Sequence, residues 1–138
     1  MLILVFDTAG SNLFVALLSE EKILTQNVIS ESGKQAELLI PEIEKILREQ
    51  KIWYQDLGLI IATKGPGSFT GTRIGLTVAR TLKLATNLPL ILINSDEVKN
   101  FGIDSIASFG LEKFRRGEIS TDLNPIYSGG PRISERKK

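Results

Sequence analysis

The chain has 138 residues, 42% hydrophobic and 24% charged, enough for one domain with a real core, or one domain plus a fragment. Its formal net charge of +1 gives no global attraction to nucleic acid, so any RNA contact has to be local or supplied by a partner. It contains no cysteine and no histidine, which excludes a disulfide framework, a thiol nucleophile, a zinc–thiolate site, a Ser–His dyad and an imidazole base.

Residues 2–6 are a continuous β-branched and aromatic run and predict a buried strand. The run is too short for a signal segment, and no stretch approaches the roughly 20 apolar residues that cross a bilayer, so a cytoplasmic protein is expected. A turn over 7–12 precedes two further strands, 13–18 and 23–29, joined by the short loop 19–22; the three read as an antiparallel meander. The period then changes. Ala36, Leu39, Ile40, Ile43, Ile46 and Leu47 define one face of a helix. Ser32 suits its cap, and Lys45, Arg48 and Lys51 suit the dipole at its C-terminus. Pro41 predicts a kink, or a start nearer Pro41. Residues 57–63 read as a central strand, about 72–86 as a second helix and 88–93 as a further strand. After Asn94 the pattern gives two helix-like fragments at best, then a Gly/Pro-rich basic tail.

The order β-β-β-α-β-α-β, with right-handed crossovers, predicts an α/β fold: a mixed sheet with helices on its faces. This is the ribonuclease H-like order, shared with the actin-like ATPase (ASKHA) superfamily. The expected division is a ribonuclease H-like domain over 1–95 and a remnant of a second domain with the C-terminal tail over 96–138.

Five features invite a functional reading. Asp7 and Thr8 follow the first strand; they suit a vestigial phosphate hairpin, or a plain hairpin in which Asp7 and Ser11 make local turn hydrogen bonds, and the residues alone favour the plain hairpin. Gly65-Pro66-Gly67-Ser68-Phe69-Thr70-Gly71 is a strand-to-helix loop whose glycines allow close backbone approach, with helix amides available to an anion. It is neither a Walker loop nor the dinucleotide fingerprint. Gly71, Gly75 and Ala79 form a small-residue stripe flanked by Ile74, Val78 and Leu82, with Leu76 and Leu84 elsewhere on the helix. Together with Ala36, Leu39 and Ile43 of the first helix they predict a partner interface. A two-metal nuclease is disfavoured, because strand 57–63 ends Thr63-Lys64-Gly65 without an acid, and Glu37, Glu42 and Glu44 pattern as a solvated face. The basic end, Arg132, Arg136, Lys137 and Lys138, reads as a solvated terminus.

The string Gly65-Pro66-Gly67-Ser68-Phe69-Thr70-Gly71-Thr72-Arg73-Ile74-Gly75 resembles the G-P-G-S-F-T-G-x-R-I-G signature of the TsaB (YeaZ) family. Ile3-Leu4-Val5-Phe6-Asp7-Thr8 resembles its I-L-A-I-D-T opening, and Leu38-Leu39-Ile40-Pro41 its Leu-Leu-x-Pro segment, with Lys34 where the family often has histidine. The likeness covers about 1–95. Pro125-Ile126-Tyr127 and Pro131-Arg132-Ile133 resemble the family's C-terminus, which suggests an internal deletion between them. The resemblance implies a non-catalytic subunit with no cofactor or metal of its own. It would pair through its helices with TsaD, the threonylcarbamoyl transferase, or with a second copy of itself when alone. It would act with TsaE, the ATP being used by that complex, and meet tRNA only through it. The product would be threonylcarbamoyladenosine beside the anticodon of tRNAs reading codons that start with A. The alternatives are a degenerate actin-fold phosphotransferase binding nucleotide at Asp7 and the 65–71 loop, and a free-standing homodimeric scaffold.

Overall fold

A computed structural model describes residues 1–9, 12–20, 22–30, 34–65, 69–97 and 102–120. Five strands form one sheet: β1 (Leu2–Asp7), β2 (Leu13–Leu18), β3 (Ile23–Ile29), β4 (Leu57–Thr63) and β5 (Leu90–Ile93), in the order β3-β2-β1-β4-β5. β1 pairs antiparallel with β2, and β2 with β3, whereas β4 runs parallel to both β1 and β5. β1 and β4 are buried almost throughout, as expected for strands covered on both faces.

Strand alternation sorts the core into two layers. Leu4, Phe6, Leu13, Val15, Leu17, Ile60, Ala62, Leu90 and Leu92 meet α1 (Gln35–Glu49) and α2 (Phe69–Thr86) on one face. Ile3, Val5, Ala16, Leu18, Leu59, Ile61, Ile91 and Ile93 meet α3 (Ile103–Arg115) on the other. The result is a three-layer sandwich. Among the described residues no helix is long and apolar enough to cross a membrane.

The third helix corrects the sequence reading. Ile103, Ile106, Ala107, Gly110 and Leu111 are its buried positions, at helical spacing. At Gly110 a Cβ would lie 2.7 Å from Ile61 Cδ1, so the missing side chain lets α3 lie flush on β4. Beyond it, the Ser120 amide donates to the Leu90 carbonyl and the Leu92 amide to Ser120 Oγ, which covers the free edge of β5. The packing of this unit therefore continues well past residue 95.

Smaller differences have local causes. α1 begins at Gln35, six residues before Pro41, and runs through it to Glu49. Pro41 sits on the solvent side, and Leu39, Ile43, Ile46 and Leu47 bury the opposite face. Its N-cap is Lys34, without a side-chain cap; Ser32 lies outside the described residues. α2 begins at Phe69, so the last three residues of the glycine-rich string form its first turn.

The two crossover helices end differently. Asn87, at φ 58°, follows α2, and asparagine tolerates that conformation. α1 ends in a Schellman arrangement, in which the Ile52 amide donates to the Leu47 carbonyl and the Lys51 amide to that of Arg48. The left-handed position is Lys51, also at φ 58°, where glycine is usual and a side chain costs about 1–2 kcal/mol.

Candidate functional site

The carboxyl ends of β1, β4 and β5 lie side by side, the place where ligands bind in open α/β sheets. Asp7 ends β1 and is only 4% exposed. Its Oδ1 accepts a hydrogen bond from the Ala9 amide at 2.9 Å and another from the Thr63 hydroxyl at the end of β4. The carboxylate thus closes a local turn through Ala9 and ties the ends of β1 and β4 together through Thr63, whereas Ser11 lies outside the described residues. Thr8, Thr63 and Thr72 are buried as well, and Gly65, at φ 97°, turns the chain out of β4.

At Gly75 a Cβ would fall 2.3 Å from Thr8 Oγ1, so this glycine exists to let α2 press on the end of β1. One turn earlier, the buried hydroxyl of Thr72 has no hydrogen-bond partner, nor has Asn94 Oδ1 beyond β5. Pro66, Gly67 and Ser68 lie outside the described residues, and Phe69, Thr70 and Gly71 belong to α2. Among the described residues no group of three His, Cys, Asp or Glu side chains could hold a metal ion.

The expected partner face is only partly at the surface. Leu39, Ile43, Gly75, Ala79 and Leu82 are buried in the chain's own core, as is Leu76. The small-residue stripe turns inward: Gly75 and Ala79 bring α2 close to the sheet and offer nothing to a partner. What stays accessible is a shoulder along the two helices. Ala36 and Ile40 are exposed on α1, and Ile74 and Val78 are half-buried on α2; Leu84, on another side of α2, is 87% exposed. Gly71 lies in the first turn of α2.

A third feature fell outside the sequence reading altogether. A cavity of about 520 Å³ opens where α1 ends, lined by Glu44, Leu47, Arg48, Lys51, Ile52, Trp53 and Tyr54. Burial, and to a smaller extent the Glu44 charge, hold the Tyr54 phenol above its ordinary range. The signal was there: a lone tryptophan between an apolar and an aromatic residue, just after two cations.

Comparison with known proteins places these features. A family profile described as TsaD, tRNA N6-adenosine threonylcarbamoyltransferase, matches residues 22–100. A tRNA threonylcarbamoyladenosine biosynthesis protein TsaB from Bacillus subtilis is 31% identical over 132 residues, 94% of this chain and 57% of that one. The solved structure of YeaZ from Pseudomonas aeruginosa superimposes with a TM-score of 0.61 at 30% identity, covering 67% of this chain and 42% of that one. RuvC of Thermus thermophilus, with a Holliday junction, reaches 0.50 at 11% identity, a likeness of fold alone. The chain spans about half the length of the curated relatives it matches.

Proposed function

The chain belongs to the TsaB branch of the TsaD family, and on that premise we propose that it acts as a TsaB-type, non-catalytic subunit in forming threonylcarbamoyladenosine on tRNA. The observation that carries the reading is the alignment with a TsaB protein along 94% of the chain. The geometry supports a non-catalytic role. Among the described residues Asp7 is the one acid that itself ends a strand, and its Oδ1 is engaged by the Ala9 amide and the Thr63 hydroxyl. No histidine or cysteine exists to form a nucleophile–base pair.

In this reading the partners are the transferase TsaD, met on the α1–α2 shoulder, and TsaE. A second copy of the chain takes the same shoulder when TsaD is absent. The complex works in the cytoplasm, uses ATP there and brings tRNA to the chain only indirectly, so the chain itself needs no cofactor. Reconstitution with TsaD and TsaE from the same source tests this. Modified adenosine should form only when the chain is added, and the chain alone should neither hydrolyse ATP nor modify tRNA. Turnover by the isolated protein, lost on Asp7→Ala, would sink the proposal.

A phosphotransferase is the second reading. It draws on the unpartnered Thr72 hydroxyl near the start of α2, where helix amides attract anions. Tight nucleotide binding by the chain, abolished by Thr72→Val, would favour it.

A further inference from the structure

The cavity at the end of α1, opposite the carboxyl ends of the strands, has the makings of a ligand site. Its walls are mostly apolar, from Leu47, Ile52, Trp53 and Tyr54, and its size suits a small ligand. Trp53 is 71% exposed, an indole left in water although it borders a cavity. Its backbone is fixed: the Trp53 amide donates to Asp56 Oδ2 at 2.8 Å, and the Asp56 amide to the Trp53 carbonyl at 3.0 Å. An exposed indole on a fixed stretch of backbone offers a face on which a base can stack.

Arg48 and Lys51 stand at the rim, and neither has an ion-pair partner among the described residues. Cations at a helix C-terminus often serve its last carbonyls, but here those of Ile46, Leu47 and Arg48 already accept the amides of Gln50, Lys51 and Ile52. The two charges are therefore free to meet an anion. Lys51 also holds a left-handed conformation that glycine would take without strain, so a lysine stands where the backbone disfavours one. Glu44, on the same wall, offers an acceptor to a base N–H.

We propose that this cavity binds one nucleotide unit, its base stacked on Trp53 and its phosphate held by Arg48 and Lys51. A free nucleotide and an unpaired nucleotide of an RNA strand present the same chemistry; the second source adds a direct RNA contact to the indirect one of the proposed function.

Trp53 is the chain's sole tryptophan, so its fluorescence reports the site directly. The full chain is titrated with AMP, adenosine, inorganic phosphate and a short single-stranded oligoribonucleotide. Saturable quenching by AMP is expected, with a dissociation constant below about 1 mM. Adenosine should bind roughly tenfold more weakly, and phosphate alone should not quench. Arg48→Ala and Lys51→Gly should each weaken AMP binding by roughly tenfold. Lys51→Gly should melt no lower than the parent chain, which separates a ligand role from a structural one. An oligoribonucleotide that binds more tightly than AMP identifies an RNA strand as the source; equal binding identifies the free nucleotide. Absence of saturable quenching by either, adenosine binding as well as AMP, or parental affinity in both variants overturns the proposal.

Discussion

At the scale of single residues, the structure turns on side chains that are missing or shared. Gly75 has room for no Cβ, because Thr8 Oγ1 occupies the space. Gly75→Ala gains about 1 kcal/mol of helix propensity but overpacks a buried contact at about 1–3 kcal/mol, so a net loss is expected. In a Thr8→Ala background the clash disappears and the propensity gain remains. Denaturant unfolding of the four chains should therefore give a coupling of at least about 1 kcal/mol; additive effects would mean that α2 simply shifts. Tyr54 gives a second test. Its raised pKa means that the native state favours the neutral phenol. That contribution is fully present below the ordinary phenol value and lost as pH rises through the raised one. Alkaline titration in a Tyr127→Phe chain isolates Tyr54, since the sequence has two tyrosines. Glu44→Gln should lower its pKa only part of the way, because burial is the larger cause.

At the scale of elements, the sheet and both crossover helices were legible because each carries an unbroken period. Residues 2–6 and 57–63 are continuous apolar runs, and α1 repeats its buried face at Leu39, Ile43, Ile46 and Leu47. The third helix was missed although its buried residues also keep helical spacing. Gly102 at its start gives no side-chain cap, and Gly110 in its middle reads as a breaker until its contact with Ile61 is seen. Tertiary packing outweighs the propensity penalty there. The small-residue stripe misled in the opposite direction. Small residues on a helix signal close approach, but sequence does not say whether a partner or the chain's own sheet approaches. Ile106 is fully buried in the layer beneath α3. Ile106→Ala should cost about 2–5 kcal/mol, measured by chemical denaturation, and a chain cut at residue 95 should precipitate with Ile3, Val5, Leu59, Ile61, Ile91 and Ile93 uncovered. A soluble, cooperatively folding 1–95 fragment would contradict the three-layer description.

At the scale of the molecule, one face of the sandwich is closed by α3, while the other presents the α1–α2 shoulder. The division of α2 between core and surface sharpens the proposal that this shoulder meets TsaD or a second copy of the chain. Ala79 is fully buried and Val78, the next residue back, is only half-buried. A carboxylate at Ala79 would sit unpaired in the core, which costs several kcal/mol of stability, so Ala79→Asp should fail to fold. A carboxylate at Val78 can reach water in the isolated chain, so Val78→Asp should keep its circular dichroism spectrum and most of its melting temperature. In a closed interface that route to water is lost. The charge is then unpaired and dry, and in a symmetric pair it appears on both sides. Since each 1.4 kcal/mol is about tenfold in affinity, association should weaken by roughly a hundredfold or more. Sedimentation should show a monomer, and capture by immobilised TsaD should fail. The pair of substitutions separates fold from interface: a folded Val78→Asp chain that still dimerised and still bound TsaD would move the partner face off the α1–α2 shoulder.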